Sequence, residues 1–268
     1  MNHRALQRTL FRMQLDHDFA RRILDGDRAS LETTGLSPTE AALLQSAPFA
    51  GITADPGNQR RDQVLGNASS ELRLSVAAAA VTRGADVARG FLASEQFHDA
   101  IRCDGRLPFA FADYLESALE GADARLRSLV RLERELLRAR REDIHRERPM
   151  PGDVVLAKTA RLIELAPGTW RYAELLHARL ERGTPIAPGA VGSDDSDWIL
   201  ILSKPGDGPL RDVETEPLQP MVVAVLRRAE SPWPASARAE LARELGVEAA
   251  ELESFIDDLA SDGVLVRG

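Results

Sequence analysis

Between Leu6 and about Ile144 the apolar positions recur every three or four residues and seldom alternate, which predicts a run of helices and no sheet. Leu6, Leu10 and Met13 share one face of a first helix. Asp16 stands where a second would be capped, and that helix carries Phe19 and Ile23 before stopping near Gly26. Ser37-Pro38-Thr39-Glu40 has the spacing of a capping box with proline in the first turn, so a helix is expected to start there. Asp55-Pro56-Gly57-Asn58 is expected to break the chain ahead of Arg60 to Thr82, where Val64, Leu72, Leu74 and Val76 mix with small alanines. The segment Leu107 to Leu115 gathers much of the scarce aromatic content. Beyond Gly121 a long helix carries Leu126, Leu129, Leu132, Leu136 and Leu137 in one apolar stripe.

The pattern changes after Arg148-Pro149-Met150-Pro151-Gly152-Asp153, which no helix crosses unbroken. A domain boundary is expected there, with an all-α helical bundle in residues 1–148 and a small α+β domain in residues 149–268. Val154 to Leu165 is β-prone, Trp170 to Leu180 helical, and Thr184 to Asp197 reads as a loop. Trp198 to Leu202 is apolar on both faces, as an internal strand requires. After a hairpin turn at Gly206-Asp207-Gly208, Leu210 to Glu216 alternates charged with other residues, the mark of a short edge strand. Three helical patterns follow: Leu218, Met221, Val222, Val225 and Leu226; then Ala237, Leu241 and Leu245; then Leu252, Phe255, Ile256 and Leu259. Gly246 and Gly263 stand where helices stop, and Val264-Leu265-Val266 is expected to add a last strand. A hairpin followed by a helical trio is the plan of a winged helix, so the expected class is α+β, a bundle followed by a winged-helix-like domain.

At 268 residues and 44% hydrophobic the chain has enough material for a sizeable core. Its 34 basic and 42 acidic residues leave a net charge of -8, which argues against a surface that tracks a phosphate backbone. The arginines of the long helix, from Arg125 to Arg141, are interleaved with Glu133 and Glu135, the usual composition of a solvated face. Cys103 is the single cysteine, no apolar run approaches the roughly 20 residues a membrane span needs, and the N-terminus lacks a signal-peptide pattern. A cytoplasmic location and no membrane association are expected.

No catalytic residue is expected either. His3, His17, His98, His145 and His177 are scattered, without the spacing that gathers a metal. Asp16-His17-Asp18 is the tightest grouping, but neighbours on a helix point in different directions, and the reading is a cap. Gly206-Asp207-Gly208 lacks the helix and lysine of a phosphate loop, so no nucleotide is implied. Cys103 is flanked by Arg102 and Asp104, with no histidine adjoining it in sequence.

What remains is binding. An edge strand beside an apolar helix can receive an extended peptide, with main-chain hydrogen bonds supplying affinity and the cleft selecting side chains. Leu210, Arg211, Val213 and Glu214 are the expected receiving strand, and Leu252, Phe255 and Leu259 the apolar wall. Asp258, with Glu251 and Asp257, makes the border of that wall acidic, so the bound segment is expected to carry Lys or Arg. The competing expectation is that the wall residues simply pack the core, because such a stripe must face the sheet for the domain to fold.

Trp198 to Leu202, the Gly206-Asp207-Gly208 turn and Leu252 to Leu265 resemble the strand and helix pattern of leader-peptide recognition domains, including the small chaperone of pyrroloquinoline quinone biosynthesis. Leu107 to Leu115 and Leu129 to Leu136 resemble the helical half of a family described as DNA-binding, whose members are encoded beside multinuclear non-heme iron oxidases and act as their partner subunits. Methanobactin biosynthesis contains a related pairing. The resemblance implies an accessory subunit that binds the leader of a ribosomally made precursor peptide and presents it to an iron-dependent oxidase. It implies no cofactor in this chain, the iron being held by the partner enzyme. Leu10 to Ala20 and Gly35 to Leu44 are similar to the small helical subunit of an extradiol ring-opening dioxygenase, also an enzyme's companion. The alternative of another class is a winged-helix transcription regulator. Against it, Ala235 to Leu245 sets Arg238 and Arg243 against Glu240 and Glu244, and the last helix is acidic.

Overall fold

The computed structural model describes residues 3–46, 55–103, 105–141, 149–182, 196–204 and 210–268. The expected turn at residues 206–208, His145 and nearly all of the expected loop at 184–197 lie outside them. The chain forms two compact units, Met1–Glu120 and Gly121–Gly268. Helices and small antiparallel sheets together make the protein α+β. Among the described residues no helix is long and apolar enough to cross a membrane.

The first unit is helical: α1 (His3–Leu15), α2 (His17–Leu24), α3 (Arg28–Glu32), α4 (Pro38–Gln45), α5 (Asp55–Glu71), α6 (Arg73–Arg83), α7 (Val87–Gly90), a 3-10 turn at Phe91–Ala93, α8 (Glu95–Arg102) and α9 (Leu107–Ala118). Local chemistry sets several boundaries. Asp16 Oδ1 accepts the Phe19 amide at 2.9 Å and so starts α2. The Ser37 amide donates to Glu40 Oε2 at 2.9 Å and the Glu40 amide to Ser37 Oγ at 3.3 Å, a complete capping box. Asp55-Pro56-Gly57-Asn58 opens α5 instead of breaking the chain, since a proline in the first turn leaves no amide unpaired that would otherwise be bonded. Met13, Phe19, Ala20, Ile23 and Leu44 make one core cluster, onto which Leu6 and Leu10 pack. A separate aromatic group surrounds Phe91, whose ring lies 5.2 Å from Phe97 and 4.8 Å from Phe111.

The second unit begins with α10 (Ala124–Arg141), followed by β1 (Val154–Leu156), β2 (Ala160–Leu165), α11 (Thr169–Leu180), β3 (Asp197–Lys204), β4 (Asp212–Pro217), α12 (Pro220–Arg228), α13 (Ala235–Leu245), α14 (Ala249–Ser261) and β5 (Leu265–Arg267). The division therefore precedes α10, whereas the sequence pattern places this helix with the bundle and the boundary after residue 148. Packing explains the difference. Leu126, Leu129, Leu132 and Leu137 are buried, Ser203 Oγ in β3 donates to the Ala139 carbonyl at 2.9 Å, and Arg131 Nη1 donates to the Glu164 carbonyl at 3.1 Å. The helix thus covers one face of a sheet.

That sheet is antiparallel in the order β2-β3-β4, with β3 in the middle as its two-sided apolar pattern requires. Residues two apart on a strand share a face, so Ile199 and Ile201 lie with Ser203 toward α10. All three are buried. Leu200 lies on the opposite face, in a core with Val225, Leu226, Trp233, Leu241, Leu252 and Ile256. The last strand, β5, does not extend this sheet. It pairs with β1 in a separate two-stranded ladder, Val155 opposite Val266.

Candidate functional site

The most informative surface of the second unit is the outer border of β4. Its hydrogen-bonding direction can be worked out residue by residue. In an antiparallel pair, opposed residues alternate between exchanging main-chain bonds with each other and turning those groups away. The Leu218 amide donates to the Trp198 carbonyl at 2.8 Å, and Leu200 lies opposite Glu216 and Leu202 opposite Glu214. The bonded pairs are therefore Trp198–Leu218, Leu200–Glu216 and Leu202–Glu214. On β3 the intervening Ser203 turns the other way, its amide donating to Thr159 at 2.8 Å on the β2 side. Val213 and Thr215 consequently point their amides and carbonyls away from β3. Among the described residues no strand pairs with that border, and Pro217 ends it with a residue that has no amide.

Beside this border lies a cleft of about 710 Å³ between β4 and α14. Its floor is Leu200, Leu202 and Leu218, and its far wall Phe255, Leu259 and Val264. Lys204, Glu214, Glu216 and Asp262 also line it. Lys204 Nζ pairs with the Glu214 carboxylate across the two strands. The wall arises from helical spacing. Leu252 and Ile256 are four apart and fully enclosed in the core, while Phe255 and Leu259, four apart on the neighbouring stripe, stay half-buried at its edge.

Of the eight residues expected at this site, Glu214, Phe255 and Leu259 line the cleft. Val213 contributes its outward main chain. Its side chain lies opposite Ser203, hence on the α10 face. Arg211 spends its amide on the Arg140 carbonyl at 3.2 Å, and Leu210 is exposed outside the cleft. Leu252, only 4% exposed, belongs to the core and not to the wall, which for this residue is the packing role that a sheet-facing stripe demands. Asp258 is exposed on α14 away from the lining, whose acidic residues are Glu214, Glu216 and Asp262. Thr215, Glu216, Leu200, Leu202, Leu218 and Val222 were not anticipated as lining residues. Alternation along β3 was the available signal, since it sets Leu200 and Leu202 on the face opposite Ile199 and Ile201.

The remaining candidate chemistry is dispersed. Asp16 faces His98 Nδ1 at 3.4 Å, so its neighbour in space comes from α8 and not from the adjoining Asp18. His17 is pushed down by burial and by the Arg61 guanidinium, whose Nη1 is 3.4 Å from its Nδ1. His177 stands 3.7 Å from Glu181, and Cys103 is exposed at the end of α8. Among the described residues no group of three or more His, Cys, Asp or Glu lies close enough to hold a metal ion.

On α13, Arg238 is 6% exposed and committed: Nε donates to Glu253 at 2.6 Å and Nη1 to the Gly152 and Trp233 carbonyls, each at 3.0 Å. Glu253 also receives Arg267 at 2.9 Å. Burial raises the Glu253 carboxyl, but the two guanidiniums outweigh it and hold the group below its ordinary value. Tyr172, enclosed in the second unit, is pushed up by burial to about 12.

No protein-family model matches the chain, and no curated protein matches its sequence.

Proposed function

We propose that the chain is a cytoplasmic, non-catalytic accessory subunit that receives the leader of a ribosomally synthesised precursor peptide along β4 and presents it to an iron-dependent oxidase. The second unit then acts as a winged-helix-like recognition domain, in which the β3-β4 pair of the three-stranded sheet is followed by α12, α13 and α14. The observation that carries this reading is the pair of outward-turned residues Val213 and Thr215 beside an apolar cleft. An extended segment placed there would gain up to four main-chain hydrogen bonds from those two residues. Alternate side chains would enter the cleft against Phe255 and Leu259. Acidic Glu216 and Asp262 favour a segment with Lys or Arg beside its apolar anchors. Iron belongs to the partner enzyme in this proposal, and the docking helices are those of the first unit. DNA reading by α13 is disfavoured because Arg238 is engaged internally and is not available to phosphate.

The test is the affinity, for the whole chain and for Val213→Pro, of fluorescent peptides made from short reading frames flanking its gene. Proline removes one outward amide, and binding is expected to weaken by at least about fivefold, the equivalent of one net hydrogen bond. Unchanged affinity would show that β4 is not the dock. Co-expression with the products of the adjacent genes tests the partnership, an iron-dependent oxidase being expected to co-purify, and a gel shift at low salt tests the competing DNA reading.

A further inference from the structure

The side chains of β4 alternate in charge as they alternate in face. Asp212, Glu214 and Glu216 lie opposite Lys204, Leu202 and Leu200, so all three project on the cleft side of the sheet, while Val213 and Thr215 project on the α10 side. The three acids are exposed, and their charge is only partly balanced. Lys204 Nζ pairs with Glu214. The carboxylates of Asp212, Glu216 and, on the far wall, Asp262 make no hydrogen bond or ion pair among the described residues. Lys204 is the one base among the described lining residues, against Glu214, Glu216 and Asp262. Residues 205–209, which join β3 to β4, add no base and one further acid, Asp207.

This alternation decides what the border can accept. Antiparallel addition sets Val213 and Thr215, whose main chain turns outward, opposite residues that turn outward on the incoming strand. For a second copy of β4 those residues are again Val213 and Thr215. The possible registers then place Asp212 on Glu214, or Glu214 on Glu214 with Asp212 on Glu216, or Glu214 on Glu216. Each sets acid directly against acid, which destabilises a strand pair. The border is thus protected by charge from its own kind. The same spacing favours a strand with bases at the matching positions. Glu214 is already met by Lys204 and lies opposite Leu202, so the position facing it calls for an apolar side chain that reaches Phe255 and Leu259. The flanking positions, facing Asp212 and Glu216, call for bases.

We propose that the extended segment received along β4 carries two bases four residues apart with an apolar residue midway, in the order base-x-apolar-x-base, all three side chains entering on the cleft side. This inference rests on the docking of a peptide along β4 and adds to it the pattern that the border selects. Side chains two apart on a strand share a face, so the three enter together. Asp262 reinforces the preference from the far wall. The pattern reads the same in both directions and holds for parallel or antiparallel addition.

Fluorescence anisotropy with the full chain and three labelled peptides tests it. The first is Thr-Val-Lys-Val-Leu-Val-Lys-Val-Thr. The second, Thr-Val-Leu-Val-Lys-Lys-Val-Val-Thr, has the same composition but can turn only one lysine toward the cleft, and the third has glutamate in place of both lysines of the first. The first is expected to saturate, the second to bind about threefold more weakly and the third about tenfold more weakly, as cross-strand charge pairs are lost and then reversed. Added salt should narrow these gaps. Asp212→Lys combined with Glu216→Lys should invert the preference toward the glutamate peptide. Asp212→Asn combined with Glu216→Gln, a milder change at the same exposed positions, should abolish it. Equal affinity for the three peptides, weakened in Val213→Pro, would retain the strand dock and overturn the pattern. No saturation by any of them into the millimolar range would overturn both. Sedimentation that shows a dimer, lost in Val213→Pro, would make a second copy the occupant and overturn the proposal as well.

Discussion

The Glu253 carboxylate connects two parts of the second unit by accepting from two arginines, Arg238 of α13 and Arg267 of β5. Removing Arg238 as Arg238→Met preserves much of the side chain's apolar bulk but deprives Glu253, Gly152 and Trp233 of a donor. A loss of about 2–3 kcal/mol is expected in urea unfolding, the range for a broken charge-assisted network with a partly enclosed partner. The pH dependence has a definite sign. The folded carboxyl lies below its ordinary value of 4.5, so the folded state binds fewer protons than the unfolded chain as that value is approached from above. The contribution is complete above that pH and disappears as pH falls from there through the folded value. Thermal melts of the wild type and Glu253→Gln should differ most near neutrality and converge in acid. A gap that stays constant across this interval would exclude a titrating Glu253 as its cause.

At the scale of elements, β4 separates main-chain pairing from binding. Val213 and Thr215 turn their amides outward, whereas the Glu214 amide faces β3 opposite Leu202. Glu214→Pro should therefore cost about 2 kcal/mol or more through a lost ladder bond, while Thr215→Pro, like Val213→Pro, should cost distinctly less. Comparing urea midpoints measures the contrast, and equal costs would mean that the assigned direction of the strand is wrong. Much of this element was legible. Alternating charge marked β4 as a border, and the apolar run from Trp198 to Leu202 marked β3 as internal. The partition of the last helix was not, because Leu252, Phe255, Ile256 and Leu259 all satisfy one broad apolar stripe. Only contact with the sheet separates the enclosed Leu252 and Ile256 from the half-buried Phe255 and Leu259. Likewise a local pattern could identify the strand Leu265–Arg267 but not that its partner is β1, more than a hundred residues away.

For the whole molecule, the allegiance of α10 is the part the sequence hid. Its arginine-rich outer face and leucine stripe fit a bundle helix as well as a helix laid on a sheet, since both environments ask for one apolar side. The buried side chains decide it. Ile163, Ile199 and Ile201 form the sheet face that also carries Ser203, whose hydroxyl bonds to α10, and each is at most 4% exposed. Uncovering them would forfeit about 2 kcal/mol apiece, a sum comparable with the low end of the 5–15 kcal/mol that holds a typical domain together. A fragment beginning at Gly121 should accordingly unfold cooperatively in urea and keep peptide affinity. A fragment beginning at residue 149, after the proline-rich stretch, should lack a cooperative transition and expose enough apolar sheet to bind a hydrophobic dye. If both fragments unfolded with the same midpoint, α10 would be dispensable to the sheet and the unit would begin at the prolines; the two midpoints therefore determine which segment completes the recognition domain.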